Sequence, residues 1–461
     1  MSPSPEEHPM THPPLPLPAA PGAATATAPP GPRPFVLDPA GRDLHGEAAR
    51  LRALGPAVLV ELPAGIRAWS INTHDLLKTL LTDDRVSKDP RRHWPAWQRG
   101  EHHDTWIRTW VGVHNMDTAY GPEHRRLRKL VAPTFTGRRT RAMLPRVRHA
   151  ADRLLDALAD TAPGDIVDLR AAYAHPLPMQ VICDLFGVPE TSRPRLARLM
   201  ARAMDTTLTP DEAEQTVHEV DDALTALVAH RRSHPGDDLT SALVAARDDD
   251  GSHLSERELL DTLLLVIGAG NETTVNLIGN AVHALLTHPD QLRLVLDGTV
   301  SWHDAIEETL RWAPSVANVP LRYAVEDIAL PGGPTIRKGE AILAAYAAAG
   351  RDPDRHGPTA DRFDITRPGR GAAEHLAFGH GVHFCPGAPL ARTEAAVALP
   401  ALFDRFPGIH LAAAPGGPAP TEGFIAYGHH TLPVRLTALH PAARNPRLRL
   451  EEPGAARNGS V

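Results

Sequence analysis

Cysteine is nearly absent. The 461 residues hold two, Cys183 and Cys385, about two hundred positions apart. That spacing excludes a disulfide framework and any four-thiolate zinc or iron–sulfur site. So few thiols are usual in a reducing cytoplasm, where the protein is expected to reside. Aromatic residues make up only 5%. Positive charge is not in excess. Lys and Arg number 48 against 55 Asp and Glu, for a net charge of -7. A nucleic-acid ligand would call for the opposite balance. Long apolar runs are missing too. The most apolar stretch, Leu263 to Gly270, falls well short of the roughly 20 residues a membrane span needs. The N-terminus has acidic residues and prolines where a signal peptide needs a basic start and an apolar block. No membrane partner is expected.

Proline and alanine are plentiful at the start, as in Pro13-Pro14-Leu15-Pro16-Leu17-Pro18. Residues 1–34 cannot bury enough apolar surface to offset their ordering entropy, so a disordered tail is expected there. Residues 441–461 read as a second loose tail. Between them, residues 35–440 are mostly helical in pattern. His124 to Val131 has one apolar and one basic face, and 141–160 repeats apolar residues at three- and four-residue steps. Strand signals are short. Val58 to Leu62 and Ala68 to Ile71 flank Pro63-Ala64-Gly65 like a hairpin, and a second set follows Arg322. The expected fold is mainly α, a large helical body with small β-sheets at its edge.

The most informative segment is Phe378-Gly379-His380-Gly381-Val382-His383-Phe384-Cys385-Pro386-Gly387. Glycine permits positive φ and close backbone approach. Such loops turn successive N–H groups into one concavity, which suits a thiolate acceptor. The Ala- and Leu-rich run from Ala388 reads as a helix, so Cys385 lies just before a helix N-terminus, where negative charge is favoured. Read on residues alone, Cys385 is a metal ligand, a nucleophile paired with His383 or His380, or a buried structural thiol. Cys183, among apolar neighbours, reads as a core thiol.

A second segment stands out. Ser255-Glu256-Arg257-Glu258 spells a capping box, and a helix can run from it to about Thr287, stopped by His288-Pro289. Most of it is apolar all round and therefore buried. Its middle, Gly268-Ala269-Gly270-Asn271-Glu272-Thr273-Thr274, is costly there, at roughly 1 kcal/mol per glycine relative to alanine. Threonine hydroxyls in such a helix compete for backbone carbonyls. A water-filled kink is the plain structural alternative.

The pattern of Phe378, Gly381, His383, Cys385 and Gly387 resembles the haem-binding loop of the cytochrome P450 family, and three further motifs agree in chain order. The resemblance covers about residues 35–440. It implies a triangular helical body around one haem b, with Cys385 as the axial ligand of the iron. Phe378, His383 and Gly387 would then contact the haem. In the long helix Ala269 and Gly270 would give room above the haem, Thr273 would set a hydroxyl beside bound dioxygen, and Glu272 would relay protons. Asn271 departs from the His or Gly of many relatives. His124 and Arg128, i and i+4 on one helix, would bind the haem propionates together with Arg322 and His383. Glu308 and Arg311 match a Glu-x-x-Arg motif whose third member would be Arg362, before Phe363. This network is expected to hold the cysteine loop.

The resemblance makes residues 89–120 a variable loop. It holds Trp94, Trp97, Trp106 and Trp110, four of the seven tryptophans, which are expected to pack. Asn115 and Met116 are expected in the substrate pocket, with Val316, Asn318, Val319 and Ile425. Those apolar stretches suit a greasy multi-ring or macrocyclic substrate, such as a macrolide, polyketide or steroid. Arg125, Arg126 and Lys129 would steer an acidic ferredoxin. No length remains for a flavin or nicotinamide domain, so electrons are expected from a separate ferredoxin and NAD(P)H-dependent reductase. The expected reaction of this monomer is insertion of one atom of dioxygen into a C–H or C=C bond. Oxidative aryl or phenol coupling is the alternative on the same scaffold. A non-catalytic haem-thiolate sensor is disfavoured by Glu272 and Thr273.

Overall fold

Helix α1 (Gly121–Val131) starts with Pro122 in its first turn and buries His124, Leu127, Leu130 and Val131 on one face. Its Arg125 and Lys129 point outward. Helix α2 (Gly137–Ala159) is capped by the Thr136 hydroxyl and buries Met143, Val147, Ala150, Ala151, Leu155 and Leu158, the stripe its periodicity predicts. Helix α3 (Pro176–Leu185) is apolar nearly all round and buries Cys183. That burial pushes the Cys183 thiol up to about 11, as suits a core cysteine.

The long helix, α4 (Glu256–Thr287), runs for 32 residues, or roughly 48 Å. Both halves of its capping box form, with the Ser255 hydroxyl accepting from Glu258 N–H and the Glu258 carboxylate accepting from Ser255 N–H. Around it pack α3, helix α5 (Trp302–Trp312) and helix α6 (Ala388–Arg405), which follows the cysteine.

A six-stranded sheet lies beside these helices. Its strands are β1 (Phe35–Val36), β2 (Ala57–Leu62), β3 (Ile66–Ile71), β4 (Val86–Ser87), β5 (Asn318–Ala324) and β6 (Ala341–Ala345), in spatial order β1-β2-β3-β6-β5-β4. The hairpin read at 58–71 is β2–β3, with Leu62 opposite Ile66. Strands β5 and β6 pair antiparallel, and the register slips between Val319 and Arg322. An irregularity of this kind re-aims the side chains beyond it, and Arg322 is buried.

The structure, a computed structural model, describes residues 33–162, 164–203, 210–248, 251–367, 375–412 and 417–437. The described residues from Pro34 onward belong to one compact unit. Apart from Arg33 and Pro34, the two expected tails lie outside the described residues. The mainly helical architecture with small sheets is the one expected. Among the described residues, no helix is long and apolar enough to cross a membrane.

Candidate active site

The cysteine loop is built on strain only glycine tolerates. Gly379 and Gly381 have φ of 73° and 71°. A Cβ at Gly381 would also sit 2.7 Å from the Leu81 carbonyl oxygen, so this position is doubly closed to other residues. The Cys385 N–H donates to the Phe378 carbonyl at 2.9 Å, closing the loop. Helix α6 opens three residues later. Burial pushes the Cys385 thiol up, while N–H groups of Gly387 and Ala388 and the cations of Arg128 and Arg392 pull it down. Burial prevails, so the thiol stays above its ordinary value, and a metal cation at the sulfur would displace its proton.

Beside the loop lies a cluster of basic side chains, of which Lys88, His124 and Arg322 are buried. Arg128 donates through Nη2 to the Phe384 carbonyl at 2.7 Å, tying α1 to the cysteine loop. His124 lies one turn earlier, its ring 4.2 Å from that of His383. Burial, then the Arg128 charge, holds His124 down at about 4. Burial puts His383 well below its ordinary range. Two residues that the motifs did not single out complete the cluster. Lys88 is buried and pairs with Asp117 at 2.6 Å. Burial pushes Asp117 up, but Lys88, His383 and Arg322 outweigh it and hold the carboxyl at about 2. Lys88 looks like an ordinary surface charge in Ser87-Lys88-Asp89, and its partner is 29 residues away. No local pattern reveals that pairing.

Lys88, Arg128 and Arg322 set three permanent cations about the one carboxylate of Asp117, a surplus of two positive charges. Arg322 Nη1 and His124 Nε2 are buried polar atoms without a hydrogen-bond partner. Such groups are costly unless something completes them. The two propionates of a haem supply both the missing charge and the missing acceptors. The residues present thus fit the group.

In α4, Ala269 is exposed although it sits mid-helix between buried flanks. Gly270 has a packing reason as well, since a Cβ there would lie 2.8 Å from Ile182 Cδ1 on α3. The Thr273 hydroxyl donates to the Ala269 carbonyl at 2.6 Å, and Thr274 donates to Gly270 at 3.1 Å. Glu272 is half-buried and pairs with Arg170 at 2.6 Å; Arg170 also donates to Asn276 Oδ1 at 3.1 Å. Arg170 was not singled out by sequence. Asn271 is buried, with Oδ1 unpartnered.

The charge network needs one correction. Arg311 grips Glu308 through Nε at 2.8 Å and Nη2 at 2.7 Å, and both side chains are buried. It also donates to the carbonyls of Gly350 and Ala360. The guanidinium that approaches Glu308 as third member is that of Arg367, at 3.6 Å, and not Arg362. Arg362 is exposed and contributes only its carbonyl, accepting from Arg311 and Arg367. The local Arg-Phe pattern pointed to the wrong arginine because the chain turns between residues 362 and 367 and buries the later side chain.

The pocket expectations divide. Val316, Asn318, Val319 and Ile425 come together. Asn318 Nδ2 donates to the Phe424 carbonyl at 2.7 Å, Val316 bridges Ala426, and the Ala317 and Asn318 N–H groups point to Ile425 O. All four side chains are partly exposed. Asn115 and Met116 are both buried. Asn115 is buried and its amide is spent on backbone, donating to Asp261 O and accepting from Asp117 N–H. Met116 belongs to the main core. The tryptophans pack as expected. Trp94 stacks near Trp97 and Tyr323, and Trp106 meets Phe424 edge-on at 5.3 Å. On the basic face, Arg126 pairs with Glu123 and Glu258, and Lys129 with Asp248. Arg125 is exposed.

A glycine-shaped loop presenting one cysteine, a surplus of two cations beside it and an unbroken long helix that carries a threonine and an acid at mid-length define a haem-thiolate oxygenase. The cytochrome P450 family model matches residues 70–295 and 303–410. The chain belongs to the cytochrome P450 family, and is a haem b-dependent monooxygenase. It is 43% identical over 404 residues to a 2-hydroxy-5-methyl-1-naphthoate 7-hydroxylase of Streptomyces carzinostaticus, covering 87% of this chain and 97% of the relative. It is 41% identical over 410 residues to the monooxygenase PikC of Streptomyces venezuelae, covering 89% and 94%. Among solved structures, CYP154A1 of Streptomyces coelicolor A3(2) is 53% identical with a TM-score of 0.81, covering 87% of this chain and all of that one (100%). Testerone-bound CYP154C4 of Streptomyces sp. ATCC 11861 is 43% identical with a TM-score of 0.84, covering 88% and 99%.

Proposed function

We propose that this chain ligates haem iron through Cys385 and inserts one oxygen atom from dioxygen into a C–H or C=C bond of a hydrophobic multi-ring or macrocyclic natural product. The observation that carries the reading is the Cys385 loop, in which Gly379 and Gly381 hold positive φ, the Cys385 N–H closes on the Phe378 carbonyl, and Arg128 ties the Phe384 carbonyl to α1. When bound, the haem activates dioxygen, so that one atom enters the substrate and the other leaves as water. His124, Arg128, Arg322 and His383 would hold the two propionates. Thr273 already gives its proton to Ala269 O, which leaves its oxygen lone pairs free to accept from a proton donor beside dioxygen. Glu272, tethered by Arg170, holds the acid at the helix face from which protons enter. A controlled proton supply matters more than bulk water, which would divert reducing equivalents.

Val316, Asn318, Val319 and Ile425 form the apolar rim that takes the substrate, with the Asn318 amide already engaged by Phe424 O. The relatives named as hydroxylases of a naphthoate and of 6-deoxyerythronolide B support a ring-rich, apolar ligand. Residues 121–149 carry nine Arg or Lys and one acid, in a chain of net charge -7. Arg125, Arg138, Arg141 and Arg148 are exposed there. That basic face supports docking of an acidic ferredoxin fed by a separate reductase.

The test is a spectral screen. Candidate steroids, macrolides and aromatic polyketides are added to the ferric protein, and loss of iron-bound water is read in the Soret band. Hits are turned over with a ferredoxin and reductase. A product heavier by one oxygen atom supports the reading. A product lighter by two hydrogens points to coupling instead.

A further inference from the structure

Two adjacent glutamates on α5 are both buried, Glu307 and Glu308. Successive helix residues point about 100° apart, so they face different neighbours. Glu308 serves the Arg311 and Arg367 network already described. Glu307 faces the cysteine loop. Its Oε1 accepts from Arg392 Nε at 2.6 Å, and its Oε2 accepts from Arg392 Nη2 at 2.9 Å. The same Oε2 lies 3.0 Å from His375 Nε2. His375 Nδ1 accepts from the Ala377 N–H at 3.2 Å. The ring proton therefore sits on Nε2 and is donated to Glu307, and a neutral histidine satisfies every contact. Glu307 thus ties residue 375, before the cysteine, to residue 392, after it.

Arg392 does more than close this bracket. Its guanidinium lies 4.5 Å from the centre of the Phe378 ring. Phe378 is the residue whose carbonyl accepts the Cys385 N–H, and the Arg392 charge acts on the Cys385 sulfur. We propose that Glu307 and Arg392 form a positioning pair that holds one cation at a fixed place over Phe378 and thereby sets the electron affinity of the haem iron bound by Cys385. The proposal rests on Cys385 being the ligand. It adds that this buried pair, together with His375, tunes the site electrostatically as well as bracing it.

The sign follows from charge alone. Removing the anion of Glu307 leaves Arg392 uncompensated and favours the reduced iron, so the midpoint potential rises. Removing the cation of Arg392 leaves Glu307 uncompensated, so the potential falls. Removing both restores near-neutrality and returns the potential toward that of the wild type. The experiment measures the midpoint potentials of haem-loaded wild type, Glu307→Gln, Arg392→Met and the double variant by spectroelectrochemical titration. Opposite shifts in the single variants, cancelling in the double, are expected. A merely structural pair would shift both singles the same way, with the double worst, and that result overturns the proposal. Should Glu307→Gln fail to retain haem, Arg392→Lys against Arg392→Met decides. Lysine keeps the charge, so its potential should stay near wild type, and equal potentials for the two sink the idea. The ferrous carbonyl spectrum of the wild type tests the Cys385 ligand separately. A band at the sulfur-bound position with no opposing shifts refutes the pair and leaves the ligand standing.

Discussion

The cysteine side and the substrate side of this molecule are held by different kinds of bond. On the cysteine side, buried charges have named partners at fixed angles. Glu308 has Arg311 and Arg367, Glu307 has Arg392 and His375, and Lys88 has Asp117. Charge-assisted, often bidentate bonds admit few substitutes. On the substrate side, ring packing and single bonds from an amide to backbone do the work. Trp106 meets Phe424, and Asn318 reaches Phe424 O. Apolar packing tolerates many side chains of similar volume. One half is thus specified residue by residue, while the other is free to fit different ligands.

If the cysteine side is as tightly specified as this, changes there should be severe. Cys385→Ser is expected to abolish turnover and to remove the sulfur-bound band of the reduced, carbon-monoxide-treated protein. Persistence of that band would place the ligand elsewhere. Arg311→Leu leaves Glu308 buried with its main partner gone, which costs about 3–5 kcal/mol. The denaturant midpoint should drop accordingly and the haem should be lost first. A loss near 1 kcal/mol would show that Arg367 compensates.

The same contrast explains how much the sequence reveals. The long helix with its capping box and the Glu308–Arg311 pair follow from spacing, because hydrogen-bond geometry at i, i+3 or within a turn repeats in sequence, whereas the residues around Cys385 leave its role open and only the family resemblance assigns it. The Arg-Phe pattern points to Arg362 and not Arg367, because a turn of the backbone decides which of two nearby arginines is buried. The pairs that join distant segments, Lys88 with Asp117 and Arg170 with Glu272, leave no local signal. The Asn115 amide reaches Asp261 O and the Asp117 N–H. A buried amide looks the same in sequence whether it serves a substrate or a loop.

Glu394 is the exception within the well-partnered half. It is buried on α6, and its Oε2 has no hydrogen-bond partner. Burial pushes its carboxyl up to about 8. The unfolded chain ionises it near its ordinary value of 4.5. Below 4.5 both states hold the proton and nothing is lost. From there to about pH 8 the unfolded state ionises and the folded state does not, so stability falls as pH rises. At pH 7 the cost is about 3 kcal/mol. Glu394→Gln should flatten this slope. Denaturant midpoints of both proteins from pH 5 to 8 check it, and parallel curves would show that Glu394 finds a partner in solution.

The smallest effect is expected on α4, where the two halves meet. Thr273 has already committed its proton to Ala269 O, so what it offers a neighbouring proton donor is an acceptor. Thr273→Ser keeps that geometry and should keep most product formed per electron consumed. Thr273→Val keeps the shape and deletes the oxygen. It should leave haem binding, fold and stability nearly unchanged while diverting a several-fold larger share of electrons to peroxide, an effect on the order of 1 kcal/mol in the partition. Measuring product and peroxide against NAD(P)H in both variants separates the hydroxyl from the methyl. Equal coupling in serine and valine variants would move proton delivery away from Thr273 and onto the Glu272–Arg170 pair alone.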